Sequence, residues 1–157
     1  MENKLGTSTM VQVAIVCHDI EKTAKAYAEF FGVPTPPANW TDDYSVTQAT
    51  FRGEPTHARA RLAFIKVGEL INIEIIQPDD QPSTWREHLD TKGEGMHHIA
   101  FVMQNMEDLD ARVATLEGLG IPLLQYGLSA RGAYAYMDAT EDLKLQLELL
   151  VRNRVPG

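Results

Sequence analysis

The chain carries one short pattern twice, and that repeat restricts its fold more than any other feature. Gln12-Val13-Ala14-Ile15-Val16 superposes on His98-Ile99-Ala100-Phe101-Val102 at an offset of 86 residues, and the match runs without a gap to Ile20-Glu21 and Met106-Glu107. Gly32-Val33-Pro34 has its echo in Gly120-Ile121-Pro122, two residues out of step. Residues 70–77 and 144–151 match as closing strands, each with a central glutamate. A single copy is small and leaves one sheet face uncovered, whereas two paired copies bury more of it.

Each copy reads β-α-β-β-β. Residues 11–17 are apolar and β-rich, with the length of a strand. Asp19 is placed to cap a helix over 20–31, whose spacing puts Ile20, Ala24, Tyr27, Phe30 and Phe31 on one stripe. Gly32 ends it, and Pro34, Pro36 and Pro37 prevent its return. Residues 44–51 form a strand or a flap over a site, 53–55 a turn, and 59–67 and 70–77 two strands. A short helix over 83–90 and a glycine-bearing linker at 92–95 lead to the second copy. There the pattern predicts a strand over 97–103, then a helix over 106–117 with Met106, Leu109, Val113 and Leu116 on one stripe. Strands over 121–126, 133–138 and 143–151 complete it. The expected class is α+β, two tandem βαβββ modules forming a partly open, barrel-like cup. Residues 1–9 read as a disordered leader, and 10–150 as one domain. Within it, module 1 covers about 10–78, a linker 79–95 and module 2 about 96–151, with 152–157 as a tail.

Composition narrows the function classes. A net charge of −8 argues against nucleic acid, whose phosphates need a positive face. No apolar run approaches the length of a membrane span. The single cysteine, Cys17, excludes an internal disulfide and fits a cytoplasmic location.

Strand alternation then sorts the polar residues. Gln12 shares a face with Ala14 and Val16, and His98 shares the matching face with Ala100 and Val102. On the closing strands, Asn72, Glu74 and Ile76 oppose Ile71, Ile73 and Ile75, while Lys144, Gln146, Glu148 and Leu150 oppose Leu145, Leu147 and Leu149. Each closing strand thus has an apolar face for helices and a second face with one glutamate. Two such sheets facing one another point Gln12, Glu74, His98 and Glu148 into the cup. One imidazole, two carboxylates and an amide oxygen suit zinc, cobalt, nickel or manganese. Taken singly, a glutamate on an alternating strand is more often solvated, and a lone histidine more often structural. The duplicated register is what joins the four.

Other polar residues carry less. His97 takes the opposite strand face and reads as packing or support, and His18 as surface. His57 and His88 lack partners at useful spacing, and Cys17 has no basic neighbour but His18. The loop 127–132 is better read as flexible than as an anion loop carrying Arg131, and Arg59 and Arg61 alternate on one strand face. Trp40, Tyr44, Tyr134 and Tyr136 are the aromatic residues suited to lining a pocket.

Three stretches carry a resemblance to a known family: Gly95-Met96-His97-His98-Ile99, Leu147-Glu148-Leu149 and Ile73-Glu74-Ile75-Ile76-Gln77-Pro78. With them, residues 10–150 resemble the vicinal oxygen chelate superfamily, which includes glyoxalase I, methylmalonyl-CoA epimerase, extradiol dioxygenases and bleomycin-resistance proteins. Local sequence is most similar to methylmalonyl-CoA epimerase. The resemblance implies a glyoxalase-like fold and a divalent metal on Gln12, Glu74, His98 and Glu148. It also implies an enolate-forming isomerase or epimerase, with Glu148 and then Glu74 as the base. Epimerases usually carry histidine where this chain has Gln12, and the set Gln, Glu, His, Glu resembles that of eukaryotic glyoxalase I. The implied substrate is therefore an acyl-CoA thioester or, for a lactoylglutathione lyase, a glutathione adduct. The implied assembly is a homodimer. A non-catalytic small-molecule or antibiotic binder is the remaining alternative on this fold.

Overall fold

The computed structural model describes residues 1–152. The first copy opens with β1 (Met10–Val16) and α1 (Ile20–Phe31). It continues through the short pieces β2 (Asn39–Trp40), α2 (Tyr44–Thr47), β3 (Thr50–Phe51) and β4 (Glu54–Pro55) to β5 (Ala60–Val67) and β6 (Ile71–Pro78). After α3 (Thr84–Lys92), the second copy runs β7 (Gly95–Val102), α4 (Met106–Gly118), β8 (Leu123–Ser129) and β9 (Gly132–Met137). It ends with α5 (Thr140–Leu143) and β10 (Gln146–Arg152).

The ten strands among the described residues join one mixed sheet in the order β2-β5-β6-β1-β7-β10-β9-β8-β3-β4, curled into a half-barrel with helices outside. The first eight positions form a palindrome: β2-β5-β6-β1 mirrors β8-β9-β10-β7. The expected pair of facing sheets is therefore corrected. The two halves meet edge to edge through β1 and β7, which pair antiparallel with Gln12 opposite Ala100 and Ala14 opposite His98. Each half repeats a parallel pairing with its closing strand, Ala14 beside Glu74 on β6 and Ala100 beside Glu148 on β10.

The apolar faces pack as their periodicity demands. Ile75 and Ile65 lie under α1 with Ile20, Ala24 and Ala28, and Leu147 and Leu149 lie under α4 with Leu109 and Leu116. Asp19 caps α1 by accepting from Lys22 N at 3.0 Å, and α1 ends at Gly32 with φ 66°. The predicted α1 stripe ran too far: Phe30 is 83% exposed, because the buried line follows Ile20, Ala24 and Ala28 at i, i+4, i+8.

The copies diverge between α1 and β5. β8 has seven residues, but its counterpart β2 has two. Three prolines just before β2 cannot donate to a ladder, so no longer strand forms there. The chain instead folds α2 where a strand or flap was expected, capped by Asp43 accepting from Ser45 N at 2.9 Å. The β3–β4 hairpin then extends the far edge, with β3 pairing against β8. In the expected leader, Leu5 packs against the α4 core and the Lys4 carbonyl accepts from Arg112 at 3.5 Å. β10 reaches Arg152, one residue into the expected tail, and 153–157 lie outside the described residues. Among the described residues no helix is long and apolar enough to cross a membrane.

The loop expected as flexible over 127–132 is a β8–β9 hairpin with Ser129 paired to Gly132. At Gly132 φ is 146°, and an added Cβ would lie 1.9 Å from the Val151 carbonyl oxygen of β10. Gly132→Ala should cost about 3 kcal/mol or more in urea unfolding. A loss below about 0.5 kcal/mol would show that the strand shifts freely to admit a side chain.

Candidate metal centre

The site lies on the concave face of the sheet, across the seam between the two halves. Two rows of side chains cross four strands there. One row is Glu74, Ala14, His98 and Gln146, and the other is Asn72, Gln12, Ala100 and Glu148. Every large polar residue in the two central columns has an alanine beside it. Ala14 and Ala100 are fully buried and occupy little space, so Glu74 and Gln12 lean inward over them from one side and His98 and Glu148 from the other.

The four predicted side chains do come together. Glu74 Oε2 and Glu148 Oε2 stand 3.4 and 2.9 Å from His98 Nε2. Gln12 Nε2 donates to Glu74 Oε2 at 2.7 Å and to Glu148 Oε2 at 3.2 Å, and lies 3.3 Å from His98 Nε2. All are buried, with His98 at 0% exposure and Glu148 at 4%. The donor atoms of Glu74, His98 and Glu148 lie within 4.8 Å of one another, as three ligands of one ion must.

Burial and like charge govern their protonation. Burial pushes the Glu148 carboxyl up to about 8, opposed by a hydrogen bond from Tyr136 and the charge of Arg152. Burial and then the negative charge of Glu148 hold Glu74 well above the usual carboxylate range, opposed by Arg152. Burial pushes His98 down to about 3, so its imidazole is neutral. A neutral imidazole and two carboxylates aimed at one point are a donor set that a divalent cation fits, since its charge removes the repulsion.

Beneath His98 runs a chain of buried polar groups that fixes its tautomer. Thr84 Oγ1 donates to Gln146 Oε1 at 2.6 Å, so it accepts from His97 Nε2 at 3.2 Å. His97 Nδ1 then carries no proton and accepts from His98 Nδ1 at 2.8 Å. His98 Nε2 is left with a free lone pair directed at the carboxylates. The supporting role expected of His97 is thus a specific one. Sequence reading placed Gln146 on the correct face but gave it no partner, and it did not find Thr84, which arrives from α3.

Above the four residues opens a cavity of about 680 Å³ lined by Trp40, Phe64, Trp85, Tyr134 and Tyr136, with Arg131 and Arg152. Tyr44 is not among its walls and stacks on His57 at 4.4 Å. Gly127 allows the Tyr134 ring to lie across its strand, where a Cβ would fall 2.5 Å from the hydroxyl. The Tyr136 hydroxyl accepts from Trp85 Nε1 at 3.1 Å and donates to Glu148. Arg152 was missed because the closing strand was ended one residue early; its Nη2 donates to Gln12 Oε1 at 3.0 Å. His18 is exposed, as expected, while His88 packs on His97 at 5.2 Å. Buried Cys17 donates to the Ile76 carbonyl at 3.6 Å. Arg59 donates to the Thr41 carbonyl at 2.7 and 2.9 Å, and Arg61 pairs with Glu21.

The family model of the glyoxalase/bleomycin resistance protein/dioxygenase superfamily matches residues 11–137. The chain belongs to that superfamily. No curated protein matches it by sequence. Methylmalonyl-CoA epimerase from Mycobacterium tuberculosis is a structural neighbour, with TM-score 0.63, 17% identity, and coverage of 97% of this chain and 93% of that one. A Streptomyces coelicolor methylmalonyl-CoA epimerase variant in complex with 2-nitronate-propionyl-CoA has TM-score 0.62 at 19% identity, covering 94% and 96%. A hypothetical protein from Bacillus halodurans has TM-score 0.63 at 18% identity, covering 91% and 93%. At these identities the likeness shows a shared fold.

The buried carboxylates set a pH dependence. The folded-state pKa of Glu148 rises from the ordinary 4.5 to about 8, so between these values the folded chain holds more protons and loses stability as pH rises. His98 falls from 6.5 to about 3, so between these values it adds stability as pH rises. The two oppose one another at lower pH, and from 6.5 to about 8 the loss from Glu148 is no longer offset by His98. The thermal midpoint of EDTA-treated protein should fall over that upper window, and a steady rise there would contradict the assignment.

Proposed function

We propose that the chain is a divalent-metal-dependent epimerase or isomerase that moves a proton on a carbon beside a carbonyl group. The convergence of Glu74 and Glu148 to within 3.4 Å of His98 Nε2 at the floor of an aromatic-walled cavity carries this reading. Gln12, Glu74, His98 and Glu148 are the ligands, with zinc, cobalt, nickel or manganese as the ion. A divalent ion held there supplies Lewis acidity to a carbonyl oxygen and so acidifies the adjacent C–H.

The chain's own groups do the rest. Glu74 and Glu148 come from opposite halves of the sheet and flank His98, so one can take a proton from one face of a planar carbon while the other returns one. Glu148 is the first base, because its raised pKa lies close to neutral pH and suits it to exchange a proton. The hydroxyl of Tyr136, fixed by Trp85, points its proton at Glu148 and restricts which oxygen is free to act. The aromatic walls exclude water from the carbanion-like species, and the relay through His97 and Thr84 keeps His98 Nε2 available.

Support for an acyl-CoA thioester substrate comes from the epimerase neighbours, one of which is described in complex with methylmalonyl-CoA. A second reading, a glyoxalase I-type lyase acting on a glutathione adduct, is favoured by one observation. Gln12, an amide, occupies the position that is His98 in the other half.

Elemental analysis of metal-loaded protein should find about one divalent ion per chain, with most of it lost in His98→Ala. Failure of the wild-type chain to bind any divalent ion would sink the proposal. In deuterated water, methylmalonyl-CoA should exchange its α-hydrogen, followed by NMR, and Glu148→Gln should slow that exchange about 100-fold or more. Turnover of the methylglyoxal–glutathione hemithioacetal with no α-exchange would favour the second reading.

A further inference from the structure

Arg152 ends β10 and lines the cavity beside the four converging side chains. Its guanidinium donates to Gln12 Oε1 at 3.0 Å, and the same amide turns its nitrogen to Glu74 and Glu148 at 2.7 and 3.2 Å. Every partner agrees with that orientation. Reversing the amide would set an oxygen against two carboxylates and an NH₂ group against a guanidinium.

An amide ligates a cation through its oxygen, because the nitrogen lone pair is delocalised and its hydrogens point outward. Ligation by Gln12 therefore requires the amide to turn. The turn faces two hydrogen-bond donors toward each other and breaks the bond to Arg152. The electrostatics change in the same direction. Arg152 offsets the charge of Glu74 and Glu148, and a divalent cation between these carboxylates takes over that role. Arg152 is exposed and makes no ion pair among the described residues, so the exchange leaves a guanidinium at the cavity wall open to an anion.

We propose that Gln12 and Arg152 form a latch. A cation taken up by the ligand set turns the Gln12 amide and frees Arg152 to bind an anionic group of the substrate. This rests on the ligand set proposed above and adds an order of events, with the cation first and the anion second. A carboxylate is the chemistry that fits, since the planar fork of arginine pairs with it through two parallel bonds. The guanidinium stands one amide away from the ligand cluster, so that carboxylate is borne on or next to the reacting carbon. Arg152 is then a specificity-determining residue, and cation and anion strengthen each other's binding.

A double-mutant cycle tests the latch. Cobalt affinity is measured by calorimetry on EDTA-treated wild type, Arg152→Met, Gln12→Ala and the double variant. Arg152→Met should bind cobalt about tenfold more tightly than wild type, and the gain should shrink below about threefold in the Gln12→Ala background. Equal gains in both backgrounds would mean simple charge repulsion and overturn the latch. Arg152→Gln is run in parallel, so the result does not depend on one variant folding. Malonate then probes the freed guanidinium. Cobalt-loaded wild type should bind it at least about tenfold more tightly than cobalt-loaded Arg152→Met, because the paired charge-assisted bonds are lost. Equal malonate affinities would overturn the anion role while leaving the ligand set intact. Absence of cobalt binding in all four proteins would overturn the ligand set itself, and the latch with it.

Discussion

Two buried carboxylates reach one neutral imidazole from opposite halves of a single sheet, and much of the structure serves to make that arrangement tolerable. Ionised together, Glu74 and Glu148 would set like charges where little water screens them, and burial pushes each carboxyl upward. Such a pair persists only where the surrounding groups compensate. Gln12 donates to both, Tyr136 donates to Glu148, and Arg152 supplies positive charge from the rim. These groups hold the cluster together and leave its shared centre available to a cation.

The sheet makes this possible through the β1–β7 seam. Antiparallel pairing sets Gln12 opposite Ala100 and Ala14 opposite His98, and the parallel partners add Glu74 beside Ala14 and Glu148 beside Ala100. The large polar groups therefore alternate with methyl groups in both directions across the seam. A bulkier residue at either alanine would occupy the volume into which the site converges. The duplicated strand pattern is thus more than a record of symmetry, because the small residue at its centre is as necessary as the polar residue at its start.

The residues Gln12, Glu74, His98 and Glu148 were legible because strand alternation is a local rule and the repeat supplied the missing long-range register. The helical faces under Ile75 and Leu149 were legible for the same reason. What escaped depended on contacts that no period encodes. Thr84 belongs to α3, and only the folded chain brings it to His97 and Gln146. Residues 39–55 broke from the repeat: α2 formed within the stretch 44–51 expected as a strand or flap, and the β3–β4 hairpin paired across the molecule with β8. Edge-to-edge joining of the halves, in place of two facing sheets, is a tertiary choice on which the alternation pattern is silent. Arg152 lay on the predicted face of the closing strand and was lost only to a boundary drawn one residue early.

X-ray absorption of the zinc-loaded chain tests the central claim most directly, because it counts ligand types around the ion. The account predicts one imidazole with the remaining donors oxygen, at about 2.0–2.2 Å. Two or more imidazoles, or a sulfur scatterer from Cys17, would contradict it.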